Sequence, residues 1–315
     1  MTAGLSILYA TLKINTIHLI RDKSMRAFSF LFIIYMLIAC PDSYAQDKKM
    51  LVYSGIPPVA GLVETIGGEN IESRTLLGPR DNPHIYEPKP QQIMQLSQAK
   101  ILFIAGIPFE KNIADTLRSR DKSLVIIDLS ANLPTPDETH DDGAAGHGNH
   151  GDPHIWLSPD NLITIVRQIS ASLSDIDPAR QGTYRANAEA LVDQITNLHT
   201  RTKQELAPYK GTPFFVYHPA YSYFASAYGL IQKPVEIEGK SPSPRQLEEL
   251  IKDARATKTS IIIVQPQFNT RSAHTLAQAI DGKLLPIDPL DKDVLKTMEI
   301  LASAITQFGN RTDTN

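Results

Sequence analysis

Residues 178–208 read PARQGTYRANAEALVDQITNLHTRTKQELAP, and this stretch decides the architecture. Asp177 is a plausible N-cap with Pro178 at the first helical position. Tyr184, Ala188, Leu191, Ile195 and Leu198 then recur at three- and four-residue steps along one stripe. At 1.5 Å per residue the helix would be roughly 45 Å long, enough to run the length of a lobe. It separates two series of alternating strand-like and helix-like segments. The reading is therefore two similar α/β lobes joined by one long backbone helix, a stiff crossover that permits only small movement of one lobe against the other.

Before the helix, Leu51–Ser54, Ile71–Leu77, Ile101–Ile104 and Leu124–Asp128 read as strands, interleaved with helices near Pro58–Ile66, Lys89–Ala99 and Glu110–Leu117. After it, Phe214–Tyr217, Val235–Ile237, Ile261–Gln265 and Lys283–Ile287 read as strands, with helices near Ala220–Tyr228, Pro244–Thr257, Thr270–Ile280 and Val294–Phe308. Such alternation implies parallel sheets covered on both faces. Ile101–Ile104 and Val125–Ile127 lack a polar face, which is expected of buried central strands. The expected organisation is a presequence and signal peptide over 1–45, an N-terminal lobe over 46–176, a linking helix over 177–208 and a C-terminal lobe over 209–315.

The chain has 315 residues and a formal net charge of -3, so it can bury a substantial core and has no basic footprint for nucleic acid. Met25-Arg26 followed by the apolar run Ala27–Cys40 has the charged start and short greasy core of a secretory signal, with Ser43-Tyr44-Ala45 as a cleavage site. Residues 1–24 add nothing a signal needs, which makes Met25 the expected start. Cys40 is the only cysteine. Leu37-Ile38-Ala39-Cys40 resembles a bacterial lipobox, so Cys40 is either a lipid anchor or part of a discarded signal. Either way the mature chain can form no intramolecular disulfide, which a domain of this size does not need.

Four residues able to bind a metal, His84, His154, His218 and Asp288, are spaced almost evenly along the chain. His218 and Asp288 directly follow strand-like runs and would sit at the carboxyl ends of strands, where open α/β sheets bind ligands. His84 lies in NPHIYEPKP, His154 in DPHIWLSP ahead of a helix start at Ser158-Pro159, and His218 in VYHPAYSYF. In each motif a neighbouring proline restricts the backbone beside a helix start, so an imidazole can be aimed at little entropic cost. One metal site assembled from two lobes is the expectation. His199, within the long helix, His274, in an exposed-looking helix, and His18, upstream of the signal, are not candidates. Residues 134–153 form an acidic, histidine-containing loop with His140, His147 and His150, either a solvated linker or a weak metal-capturing tract.

Together NPHIYEPKPQQ, GDPHIWLSP, the acidic loop between them, VYHPAYSYFASAYGL, IIIVQPQF and LLPIDPL resemble the metal-specific substrate-binding proteins of bacterial ABC importers, most closely the zinc-uptake (ZnuA-like) branch. The resemblance covers essentially the whole mature chain. It implies a metal site in the interlobe cleft, with His84 and His154 from the first lobe and His218 and Asp288 from the second. It further implies a monomeric periplasmic protein that captures Zn2+ and delivers it to a membrane permease. Many zinc-uptake relatives carry a disulfide in the second lobe, which this chain cannot form.

Three imidazoles and one carboxylate make a nitrogen-rich, four-coordinate set suited to zinc, whereas manganese favours more oxygen ligands and a higher coordination number. A manganese- or iron-binding member of the same family and a metal-binding surface adhesin are the alternatives. A zinc hydrolase would need an activating base beside the metal, and no HExxH pair occurs in the sequence. Asp152 is placed to accept a proton from an imidazole. Trp156 and Tyr221 either seal the cleft or simply pack; Glu87 is either a surface charge or an orienting partner; Glu236 and Glu238 are expected to line the cleft mouth.

Overall fold

The computed structural model describes residues 49–309, apart from 121, 122, 132, 134–151 and 238. The readings placed on the signal segment, Cys40, Glu238 and His140, His147 and His150 lie outside the described residues.

Strands β1 (Met50–Ser54), β2 (Ile71–Thr75), β3 (Ile101–Ile104) and β4 (Val125–Asp128) form one parallel sheet in the order β2-β1-β3-β4. Strands β5 (Pro213–Val216), β6 (Ile231–Pro234), β7 (Ile261–Val264) and β8 (Lys283–Pro286) form a second parallel sheet in the order β6-β5-β7-β8. The two orders are the same, so each lobe has its strand order reverse between its first and third strands. That reversal opens a crevice at the carboxyl edge of each sheet.

Helices α1 (Pro57–Gly67), α2 (Pro90–Leu96), α3 (Pro108–Arg120) and α4 (Pro159–Ile176) accompany the first sheet. Helix α5 (Gln181–Leu206) is the long connector, and α6 (Ser222–Tyr228), α7 (Pro244–Ala256), α8 (Arg271–Ala279) and α9 (Val294–Phe308) follow it. The stripe read from the sequence is the buried face of α5: Tyr184, Ala188, Leu191, Ile195 and Leu198 all enter the core. Among the described residues no helix is long and apolar enough to cross a membrane.

Three local expectations are corrected. The connector begins with a 3-10 turn at Pro178–Arg180 instead of α-helix; Asp177 stands at its N-cap position with Pro178 first, as expected, and its carboxylate also accepts from the Arg180 guanidinium at 2.8 Å and the Tyr184 hydroxyl at 2.7 Å. Val125–Ile127 belongs to an edge strand, not a central one, and Val125 is 40% exposed. The strand expected at Val235–Ile237 is instead Ile231–Pro234; a proline can end it because β6 is an edge strand.

Packing follows from strand alternation in the second sheet. Phe214 and Val216 join a core shared with the first lobe, α5 and α9, whereas Phe215 and Tyr217 face a second cluster with Val235, Ala254 and Leu276. The shared core is continuous from Val52 to Ile305, so the facing sides of the two lobes are not independent bodies.

Candidate metal centre

At the carboxyl edge of the second sheet, His218 follows β5 and the Gln265–Phe268 segment follows β7, on either side of the strand-order reversal. The Gln265 side chain clamps the His218 backbone from both sides, accepting from its N–H at 3.0 Å and donating to its carbonyl at 3.0 Å. The Phe268 ring stacks on the imidazole, with centroids 4.6 Å apart and planes 19° from parallel. Glu236 lies 2.5 Å from Nδ1 of His218. Residues 235 and 236 hydrogen-bond to Val216 and Tyr217, which brings this carboxylate under the ring. Glu236 is therefore buried beneath His218, not at the cleft mouth.

Opposite it, the loop after β2 carries His84. Gly78 N–H donates to Asp81, His84 N–H donates to Asn82 at 2.9 Å, and the Tyr86 hydroxyl donates to the Leu76 carbonyl at 2.6 Å. These local turns, with Pro83 and Pro88, fix the loop as its sequence implied. His84 also walls a groove of about 760 Å3 that includes Ile85, Phe109 and Ile113, so its ring is reachable from solvent. Glu87 is exposed, which selects the surface-charge reading. His154 lies just before α4, where Asp152 Oδ1 accepts from its backbone N–H at 2.9 Å and pairs with its Nδ1 at 2.6 Å. Asp152 thus plays the part expected of it, and its other oxygen accepts from Ser222 of α6.

The structure brings three of the four expected residues together. The Nε2 atoms of His84 and His218 are 3.4 Å apart, and the His154 ring centroid is 5.2 Å from that of His218. Asp288, after β8, is half-buried, and its Oδ1 accepts from Gln267 Nε2 at 2.9 Å and from Leu290 N–H at 2.8 Å. Among the described residues no group of three or more His, Cys, Asp or Glu side chains is arranged to hold a metal ion as it stands. The three histidines are neighbours, with the facing Nε2 atoms of His84 and His218 as the tightest pair, and Asp288 is tied to the same region through Gln267, next to the Phe268 that stacks on His218.

Chemically the arrangement prepares lone pairs. A carboxylate at Nδ1 holds the proton there, so Nε2 of His218 and of His154 is the unprotonated nitrogen. His84 then donates its Nε2 proton to His218 when no cation lies between them, an assignment that follows from the network. In a tetrahedron with metal–nitrogen bonds of about 2.05 Å, neighbouring nitrogens are about 3.4 Å apart. The His84–His218 separation of 3.4 Å matches that edge. Burial holds the His218 pKa below that of a free imidazole; Glu236 opposes this and His154 adds to it. Burial raises the Asp288 pKa, against the hydrogen bonds from Gln267 and Leu290.

Sequence reasoning missed Gln265, Gln267 and Phe268 and misplaced Glu236. Their only signal was two glutamines interrupting an otherwise apolar strand ending, IIIVQPQF. Trp156 and Tyr221 are fully buried; the indole donates to the Pro289 carbonyl at 2.7 Å and the phenol to the Ile287 carbonyl at 2.9 Å. Both hold down the segment that carries Asp288.

Two parallel-sheet lobes on one long helix, with imidazoles meeting where the sheet edges face each other, define a two-lobed binding-protein fold with a candidate metal centre. A family model described as zinc-uptake complex component A, periplasmic (ZnuA), matches residues 52–307, and the chain belongs to that family. It is 29% identical over 266 residues to the zinc-binding lipoprotein AdcA of Streptococcus pneumoniae, covering 81% of this chain and 53% of that protein. The chain therefore spans about half the length of those AdcA relatives. A crystal structure of ZnuA superposes with a TM-score of 0.76 at 30% identity, covering 83% of this chain and 99% of the other. The Zn(II)-bound ZnuA-like domain of the same AdcA has a TM-score of 0.68 at 23% identity over 82% and 98% of the two chains, a likeness of fold.

Proposed function

We propose that this protein is a periplasmic zinc carrier: it binds one Zn2+ between lobes formed by residues 46–176 and 209–315, joined by 177–208, and delivers it to the permease of an ABC importer. His84, His154, His218 and Asp288 are its ligands. It acts as a monomer and catalyses no reaction. The observation that carries this reading is the pair of Nε2 atoms from opposite lobes, 3.4 Å apart, one of them backed by a buried carboxylate. Membership of the zinc-uptake family, the zinc named in the relatives' descriptions and the nitrogen-rich donor set support zinc as the cargo.

The test is equilibrium competition with a zinc chelator, using wild type, His84→Ala and His218→Ala. Wild type should bind one equivalent. Each variant should lose more than the roughly tenfold to hundredfold typical of residues that merely support a ligand. Variants that compete as well as wild type would remove both histidines from the site and the reading with them.

A further inference from the structure

The Asp288 carboxylate is held in an asymmetric way. Both of its protein hydrogen bonds described above, from Gln267 Nε2 and from Leu290 N–H, fall on Oδ1. The same Gln267 nitrogen also donates to the Pro79 carbonyl at 3.3 Å, in the loop that leads to His84. Both neighbours of the amide are oxygens, so it must turn its nitrogen to them. Among the described residues its own Oε1 is left buried without a hydrogen-bond partner. An unpaired buried carbonyl disfavours folding, and an apolar side chain of similar length would avoid it. What the amide supplies in exchange is control of one carboxylate oxygen.

We infer that Gln267 is a specificity-determining residue: by occupying Oδ1 of Asp288 it leaves a single oxygen to face the cation and keeps that cation four-coordinate. The inference rests on the zinc-carrier reading. Three imidazole nitrogens and one carboxylate oxygen complete the tetrahedral set that zinc prefers. Three nitrogens and both oxygens would give a five-coordinate, more oxygen-rich site, which moves the preference toward manganese. Leu290 N–H alone is a weaker restraint, because one hydrogen bond leaves the carboxylate able to pivot so that both oxygens reach the metal. Gln267 touches no cation itself; it acts through Asp288.

The experiment uses wild type, Gln267→Met, Asp288→Asn and the double variant, each loaded with Co2+, whose visible absorption is intense when four-coordinate and weak at higher coordination. Zn2+ and Mn2+ affinities are measured on the same proteins by competition. Wild type should give the intense spectrum. Gln267→Met should give the weak one, with the Mn2+ affinity relative to Zn2+ rising about tenfold, the scale of one hydrogen bond to a charged group. Adding Gln267→Met to Asp288→Asn should change neither readout further, because the amide then has no carboxylate to restrain. A wild-type spectrum and an unchanged metal ratio in Gln267→Met would overturn the inference, even if melting temperature fell, and leave Gln267 as a tether between lobes. Wild type that binds neither Co2+ nor Zn2+ would instead overturn the carrier reading on which this stands.

Discussion

His218 is 3% exposed and Glu236 4%, so the pair meets almost no bulk water. In that setting the carboxylate governs how basic the opposite ring nitrogen is. Replacing Glu236 with Gln keeps an acceptor for Nδ1–H but removes the charge. Zn2+ affinity at pH 7.5 should fall about tenfold, within the range seen for such partners. Protons should compete less in the variant, because Glu236 raises a His218 pKa that burial has already lowered. The sign for wild type follows. The folded imidazole stays neutral below the unfolded value of about 6.5 while the unfolded one takes up a proton, so His218 costs stability as pH falls from there. His218 should therefore not be the group that releases zinc near pH 6.5. Chelator competition from pH 5 to 8 checks both statements: the Glu236→Gln curve should start lower and bend at a lower pH.

At the scale of elements, the first sheet has a crevice where its strand order reverses, as the second does, but it is filled. The Glu110 carboxylate at the start of α3 accepts from the backbone N–H groups of Ala105 and Ile107 at 2.9 Å each, tying the β3–α3 turn. A Cβ added to Gly55, just after β1, would lie 1.7 Å from Glu110 Oε1, so glycine is what leaves room for the acid. Burial pushes the Glu110 pKa from 4.5 up to about 8, against the backbone hydrogen bonds. The folded state then holds a proton that the unfolded state has released, and this contribution to stability is lost as pH rises through that window. In Glu110→Gln the loss should vanish: the Tm of the variant should gain on wild type between pH 5 and pH 8. Parallel Tm curves would show that Glu110 does not titrate there. The sequence made most elements legible, since the α5 stripe and the β3 and β7 apolar runs are decided by local periodicity. It misled at β6, where Ile231–Pro234 carries Gln232 and Lys233 while the more strand-like Val235 and Glu236 bend away to serve the core and His218. The histidines were legible because prolines flank them. Gln265, Gln267 and Phe268 were not, because a glutamine gains its meaning only from the acceptors that tertiary structure sets around it.

The whole molecule is fastened across its lobes before any cation is considered. Lys292 Nζ pairs with Glu64 at 2.5 Å, Tyr223 donates to the Asp152 carbonyl at 3.2 Å, and Gln267 donates to Pro79. Backbone contact is equally close at Gly61, where a Cβ would lie 2.1 Å from the Lys292 carbonyl. With α5 spanning both lobes over a continuous core, wide opening would expose apolar surface at a large cost. Small-angle scattering should therefore give the same radius of gyration with and without zinc, and an opening of the lobes would contradict this account. Binding should appear instead in stability: Tm should rise with zinc and fall back on adding EDTA, since a ligand of the native state alone stabilises it by mass action. One further property follows from where Trp156 lies. It is the only tryptophan in the chain, its ring centroid is 5.2 Å from that of His154 at 63°, and its N–H is held by Pro289. A cation drawing on the His154 lone pair changes the polarity at the face of the indole, so the emission should shift as the metal arrives, and the molecule carries its own optical gauge of occupancy, read from a single chromophore.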